Sequence, residues 1–85
     1  MVNGIKHYRL KLKQTGEKEW SQKAVADHAG IPRSRLSMIE NGHMLPTVEE
    51  LEKIAEYLGV SPGHLYTPNQ IQIIHEMDRG RMGNA

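Results

Sequence analysis

The sequence predicts a small all-α domain, and three observations lead to this expectation. The chain has 85 residues, of which 38% are hydrophobic and 25% are charged, so it can build one small core and hence one domain. Apolar residues recur at intervals of three and four, as on one face of a helix, and no segment alternates like a strand. Glycine and proline divide the chain into short segments that carry helix start and stop signals.

The first half of the chain predicts three helices. The first is expected over residues 5–14, and its two faces consist of apolar residues (Ile5, Tyr8, Leu12) and of cations (Lys6, Arg9, Lys11, Lys13). A loop at residues 15–19 follows it. The second helix begins after Ser21, whose hydroxyl can cap it, and ends at Gly30. The third begins next to Pro32, a residue tolerated at helix starts, and ends at Asn41-Gly42.

The second half predicts three more helices. Thr47 and Glu50 form a capping box that opens the fourth helix, which ends at Gly59 and has an apolar stripe of Leu51, Ile54, Ala55 and Leu58. A short fifth helix is expected from Ser61-Pro62 to about Tyr66. A second capping box at residues 67–70 opens a sixth helix that ends near Gly80. We therefore divide the chain into a domain at residues 1–66 and a C-terminal helix and tail at residues 67–85.

Composition excludes several classes of function. The sequence has no cysteine, which excludes disulfides, thiolate nucleophiles and cysteine metal ligands. The first residues lack the apolar core of a signal peptide, and no run approaches the ~20 apolar residues of a membrane span. We therefore expect a cytoplasmic protein without a membrane partner. A chain of this size has no room for the large cavity of an enzyme, so we expect no catalysis, no cofactor and no small-molecule ligand.

Charge is distributed unevenly along the chain. Residues 1–46 contain eight Lys and Arg against four Asp and Glu, whereas residues 47–85 contain three against six. The two parts therefore carry +4 and −3, which the overall charge of +1 conceals. A basic half indicates an oriented contact with a polyanion, although a scatter of solvated charges explains it equally well on charge alone.

Residues 20–42 are the most informative segment. Two short helices joined by a tight, glycine-containing turn must cross at a steep angle, which is the helix-turn-helix arrangement. The outer face of the second of these helices begins with Arg33 and carries no large apolar residue except Met38. Such a helix fits the major groove of B-DNA, where its N-terminal side chains reach the base edges.

A wider set of residues carries a family resemblance. It consists of Ser21-Gln22, Ala26, Gly30-Ile31, Leu36-Ser37, Ile39-Glu40-Asn41-Gly42, Pro46-Thr47, Leu51, Ile54-Ala55, Leu58-Gly59-Val60 and Leu65-Tyr66. With these residues at this spacing, residues 5–66 resemble the Xre/Cro-type helix-turn-helix family of bacterial and phage regulators. The resemblance implies a five-helix, lambda-repressor-like domain, to which the sequence adds a C-terminal helix. It also implies a regulator, a repressor by expectation, that binds a double-stranded DNA operator as a homodimer.

The candidate DNA contacts follow from this arrangement and are Gln22, Arg33, Ser34, Arg35, Ser37, Met38 and Asn41. Arg33 can pair bidentately with guanine, although a phosphate contact would need only its charge. Arg35 is expected either to contact a phosphate or to pair with Asp27. Ser34 and Ser37 are short donors on the same face, and Met38 either meets a thymine methyl or is merely exposed.

The resemblance adds expectations about two residues, Gln22 and Glu40. It implies that Gln22 contacts a phosphate or an adenine, and that Glu40 forms a partly buried ion pair with Lys13, at the end of the first helix. Asn41 suits a phosphate contact, although it can also end its helix in the left-handed conformation. In one departure from the family pattern, Pro32 stands where a capping Ser or Thr is usual.

Two further features leave alternatives open. The sixth helix carries an apolar stripe of Ile71, Ile74 and Met77, which either forms a dimer interface or packs on the first and fifth helices of its own chain. The five histidines have no i, i+4 pair and no metal-ligand spacing, so we expect no metal site. A rival function is a protein-interaction module of antitoxin or bridging-factor type, against which the arginines at positions 33 and 35 argue.

Overall fold

The computed structural model describes residues 3–16 and 19–82, with side chains as far as residue 80. This part of the chain contains five α-helices, one 3₁₀ helix and no strand, so the all-α prediction is confirmed. The elements are α1 (Ile5–Lys13), α2 (Gln22–Ala29), α3 (Arg33–Glu40), α4 (Val48–Leu58), the 3₁₀ helix (Pro62–His64) and α5 (Pro68–Met82). Part of the predicted loop at 15–19 and the tail at 83–85 lie outside the described residues.

Three helices begin at the capping residues that the sequence predicts. The Ser21 hydroxyl accepts a backbone N–H in the first turn of α2. The Thr47 hydroxyl accepts the Glu50 N–H, and the Glu50 carboxylate accepts the Thr47 N–H, which completes a capping box on α4. Thr67 and Gln70 exchange the same two hydrogen bonds at the start of α5. Side-chain acceptors at these positions satisfy backbone donors that have no partner within the helix.

Three predicted helix ends differ in detail. Asn41 is the C-cap of α3 but has a φ of −85°, and it is Gly42 that adopts the left-handed conformation, with a φ of 79°. Glycine takes this conformation at lower cost because it has no Cβ. The fifth predicted helix is a single 3₁₀ turn, and α5 continues past Gly80 to Met82.

The core is aliphatic and has α4 at its centre. α4 packs against α1, α2, the 3₁₀ helix and α5, whereas α3 packs mainly on α2. The fully buried large side chains come from all five α-helices and are Ile5, Val25, Leu36, Ile39, Leu51, Ile54 and Ile74. None of the helices in the described part of the chain has the length and hydropathy of a membrane span.

The C-terminal helix belongs to this core, which corrects one predicted residue of the dimer interface. Ile74 is completely buried in its own chain, and Ile71 packs against the same core. The Asp78 carboxylate accepts the Val48 N–H at 2.9 Å and so ties α5 to the first residue of α4. Ile74 is therefore buried within its own subunit and does not form part of an exposed surface that a second subunit could contact. Met77 remains 47% exposed.

Candidate nucleic-acid interface

A tight turn joins α2 to α3 and determines how the two helices cross. Gly30 ends α2 in the left-handed conformation with a φ of 75°, and the next N–H, of Ile31, bonds back to the Ala26 carbonyl at 3.0 Å. Ala26 is buried, and its small side chain lets the backbones approach. Pro32 then occupies the N-cap of α3, where it supplies no side-chain hydrogen bond. The arrangement matches the predicted helix-turn-helix, in which the second helix projects from the domain.

One face of α3 points away from the core. Arg33, Ser37 and Asn41 are spaced by four residues, as are Ser34 and Met38, so these five side chains lie together on the helix. All are exposed except Ser37, which is half-buried. We call these five residues the recognition face. The structure thus brings together five of the seven predicted contact residues, because Leu36, Ile39 and Glu40 occupy the buried side.

Arg33 is the cation of the recognition face. It is the first residue of α3, it is exposed, and its guanidinium has no ion pair or hydrogen bond among the described residues. A cation at a helix N-terminus is disfavoured by the helix dipole, so Arg33 does not stabilise its own helix. Its five donors are available to an external acceptor such as a guanine edge or a phosphate.

The opposite side of α3 is anchored by a buried ion pair. Arg9 Nε and Nη2 donate to the two carboxylate oxygens of Glu40 at 2.9 and 3.1 Å, and Nη1 donates to the Trp20 carbonyl at 3.4 Å. Both charged residues are buried. The prediction that Lys13 would pair with Glu40 is therefore wrong, and so is the placement of Arg9 on the exposed face of the first helix.

Arg9, rather than Lys13, is buried because of its position on the helix. It lies four residues after Ile5 and three before Leu12, so it shares the inward side of α1 with them, whereas Lys13 is exposed. A guanidinium also suits a buried carboxylate better than an ammonium does, because it can form two parallel hydrogen bonds. The i, i+4 spacing from Ile5 was the signal in the sequence that pointed to Arg9.

Gln22 is oriented by the same carboxylate. Its Nε2 donates to Glu40 Oε1 at 3.0 Å, and the side chain is half-buried at the start of α2. Because an ionised carboxylate only accepts, this contact fixes which end of the amide faces inward. The second N–H of the amide is left for an external acceptor, and the contact of Gln22 with DNA stays a prediction.

Arg35 is placed differently from the other predicted contacts. Its Nε and Nη2 donate to the two oxygens of Glu50 in α4, each at 2.9 Å, and its Nη1 donates to Met44 Sδ at 3.2 Å. The expected alternative partner, Asp27, pairs instead with Lys23, four residues earlier on α2. No direct signal in the sequence pointed to Glu50 as the partner of Arg35, because the capping box with Thr47 already explained a glutamate at this position.

The pKa of the Glu50 carboxyl reflects this contact. Burial alone would raise the pKa, but hydrogen bonds from Arg35 and from the Thr47 N–H, together with the charge of Arg35, outweigh burial and hold it below its ordinary value. The hydrogen bond to Glu50 raises the pKa of Arg35 in turn. Glu50 is therefore ionised in the folded protein over a wider pH range than in the unfolded chain.

Acid is expected to remove the contribution of Glu50 to folding. A carboxyl whose pKa is lower in the folded state stabilises the fold above its unfolded pKa, here 4.5, and the effect is lost as the pH falls through the folded pKa. We expect Glu50→Gln to make the free energy of unfolding less dependent on pH below about 4.5. Urea unfolding over an acid pH series measures this. An acid dependence equal to that of the wild type would contradict it.

The described residues contain no group of three or more His, Cys, Asp or Glu that could hold a metal ion.

Asn41 stands at the end of the recognition face, where its Nδ2 lies 3.5 Å from Ser37 Oγ. This is a long contact that leaves the amide free to turn towards another acceptor.

Comparison with known proteins agrees with this geometry. Neither the curated proteins nor the solved structures gave a significant match to the chain. A family model described as helix-turn-helix matches residues 6–65, which is most of the chain and includes α1 after its first residue, α2–α4 and the 3₁₀ helix. The chain therefore belongs to the Xre/Cro-type helix-turn-helix family of DNA-binding regulators.

Proposed function

We propose that this protein is a sequence-specific transcriptional regulator that binds duplex DNA with the recognition face of α3 in the major groove. The observation that carries the proposal is the exposed row of Arg33, Ser34, Ser37, Met38 and Asn41, with a free guanidinium at its N-terminal end. In this docking mode the N-terminal residues of the second helix contact base edges. Repression is the simplest outcome, because it requires only that the protein occupy its operator.

The residues of the recognition face have different roles in this proposal. Arg33 reads a base, since a guanidinium can donate to both O6 and N7 of guanine. Asn41 and Gln22 bind phosphates and so set the position of α3 without carrying sequence information. Met38, which is 43% exposed, contacts a thymine methyl. Ser34 and Ser37 provide short donors between them.

The proposal includes a two-fold dimer. One helix-turn-helix unit reads few base pairs, so a single subunit would not distinguish its operator from the many competing sites in a genome. Two subunits on one side of the duplex need recognition helices about 34 Å apart, or one helical turn. Because Ile74 is buried, the surface that remains for such a contact on α5 is formed by Ile73 and Met77, which are 41% and 47% exposed.

Operator binding by substituted chains tests the proposal. A preferred operator is first selected from random duplexes, and affinities for it and for a random duplex are then measured at several salt concentrations. We expect Arg33→Ala to cost about 1–3 kcal/mol on the preferred operator and to relax the preference at one base pair. Asn41→Ala should weaken both duplexes about equally. With about four to six phosphate contacts per subunit, log affinity should fall against log salt with a slope near −4 to −5.

Arg79→Ala is the matched control, because it removes the same side chain from an exposed position on α5. It should leave the ratio of specific to random affinity unchanged. If Arg33→Ala also leaves that ratio unchanged, Arg33 is only a phosphate ligand. Binding that does not depend on salt would exclude the whole electrostatic mode.

A further inference from the structure

We propose that Arg35 is a positioning residue: its ion pair with Glu50 sets the placement of the first turn of α3 against α4, and thereby the specificity, without touching DNA. The inference rests on the proposed function, since it concerns how the recognition face is held. Arg33 and Arg35, which lie two residues apart in the same helical turn, therefore have different roles.

The hydrogen bonds of Arg35 leave little of its guanidinium for DNA. Nε and Nη2 form a bidentate pair with Glu50, and Nη1 lies against Met44 Sδ, so each of the three nitrogens already donates inside the protein. The side chain is 31% exposed and that of Glu50 only 15%. Only one N–H on each of its two Nη atoms is left for a phosphate, whereas all five N–H donors of Arg33 are available.

The first turn of α3 needs an external counter-charge. It contains Arg33 and Arg35 but no acidic residue, and Pro32 provides no side-chain cap. Two cations near the positive end of the helix dipole destabilise that end. Glu50, which belongs to another helix, supplies the missing negative charge and faces Arg35 rather than Arg33. The turn that reads DNA is thus stabilised from α4.

The position of the Glu50 carboxylate is itself determined by the capping box at the start of α4. The same carboxylate accepts the Thr47 N–H at 2.9 Å, while the Glu50 N–H bonds to the Thr47 hydroxyl. α4 packs on three other α-helices, whereas α3 packs mainly on α2. The ion pair therefore joins α3, which packs mainly on one helix, to α4, which packs on three, at the end of α3 that enters the groove.

The test uses Arg35→Met, Glu50→Gln and the double variant in the operator assay. Glutamine keeps the capping box, because Gln can also bond the N-cap N–H, but it removes the counter-charge of Arg35. For a positioning role, each single variant should lower the ratio of specific to random affinity by roughly tenfold. The double variant should lower this ratio no further than the more damaging single variant does, because both substitutions break the same contact. The salt slope should not change.

A phosphate-binding Arg35 predicts the opposite pattern. Glu50→Gln would then release Arg35 towards DNA and strengthen binding to every duplex, and Arg35→Met would reduce the magnitude of the salt slope by about one per subunit. Either result would overturn the inference. Arg35→Lys gives a second comparison: lysine preserves a phosphate contact but not a bidentate pair, so a positioning role predicts that it fails to restore specificity.

Two further outcomes distinguish a failure of the positioning role of Arg35 from a failure of the proposed function. Thermal unfolding measures the folded fraction of each variant. Variants that are folded and keep the wild-type affinity ratio would show that the pair has only a structural role, which contradicts the inference. A wild-type chain that prefers no duplex over another would contradict the proposed function itself, before any variant is compared. Lys23→Met, which removes an exposed cation paired with Asp27, serves as the control for charge alone.

Discussion

Glu40→Ala is expected to destabilise the domain by about 3–5 kcal/mol, because it leaves the Arg9 guanidinium buried without its counter-charge. Domains of this kind are stable by only about 5–15 kcal/mol, so the variant should lose much of its stability. It should also release Gln22, whose amide donates to the same carboxylate. Urea unfolding followed by circular dichroism measures the loss.

Two comparison variants make this result specific. Glu56→Ala removes an exposed carboxylate that pairs with His28, and it should change stability by no more than about 0.5 kcal/mol. Replacing both partners, as Arg9→Met with Glu40→Leu, should recover much of the stability, since a buried ion pair is often matched by apolar residues of similar volume. If Glu40→Ala costs less than about 1 kcal/mol, Arg9 reaches solvent easily and is not held by the pair.

The double variant also separates stability from function. Met and Leu can fill the space of the pair, but neither accepts a hydrogen bond, so the Gln22 amide loses the partner that orients it. We therefore infer that a stable double variant would still bind DNA more weakly. The buried pair holds α1 to α3, and through Glu40 it also holds the first residue of α2.

Local signals in the sequence were sufficient for most of the fold. The starts of α2 and α4 depend on hydrogen bonds within four residues, so Ser21 and the pair Thr47–Glu50 specify them without reference to the rest of the chain. The end of α2 is equally local, because Gly30 alone provides the left-handed residue. The recognition face follows from helical spacing once α3 is placed.

The ion pairs could not be predicted in the same way, because they join residues that are distant in the sequence. Arg9 and Glu40 are 31 residues apart, and Arg35 and Glu50 are 15 apart. Composition and spacing show which cations are available but not which carboxylate each one meets. The family resemblance pointed to Lys13 as the partner of Glu40, and charge allowed Asp27 as the partner of Arg35, but Arg9 and Glu50 take these places in the structure.

For the apolar stripe of α5, too, spacing indicates that one face of the helix is buried but not which surface covers it. Ile73 and Ile74 are adjacent in the sequence, yet the first is 41% exposed and the second is completely buried. α5 packs on α4 and on the 3₁₀ helix, and the bond from Val48 to Asp78 fixes its far end. The buried and exposed sides of this helix therefore allow separate tests of folding and of dimerisation.

Ile74→Ala is expected to destabilise the folded subunit by about 2–5 kcal/mol, because it opens a cavity in the core where the side chain is completely buried. Met77→Ala removes a side chain that is 47% exposed, so it should barely change the stability of the subunit but should weaken a dimer formed through this surface. Unfolding at two protein concentrations distinguishes the effects, since only the stability of a dimer depends on concentration. Sedimentation of Met77→Ala and of Glu76→Ala, a neighbouring control, then measures the dimer directly. If Met77→Ala sediments as the wild type does, Met77 is not part of the interface. If Ile74→Ala costs less than about 1 kcal/mol, α5 is not part of the folded core.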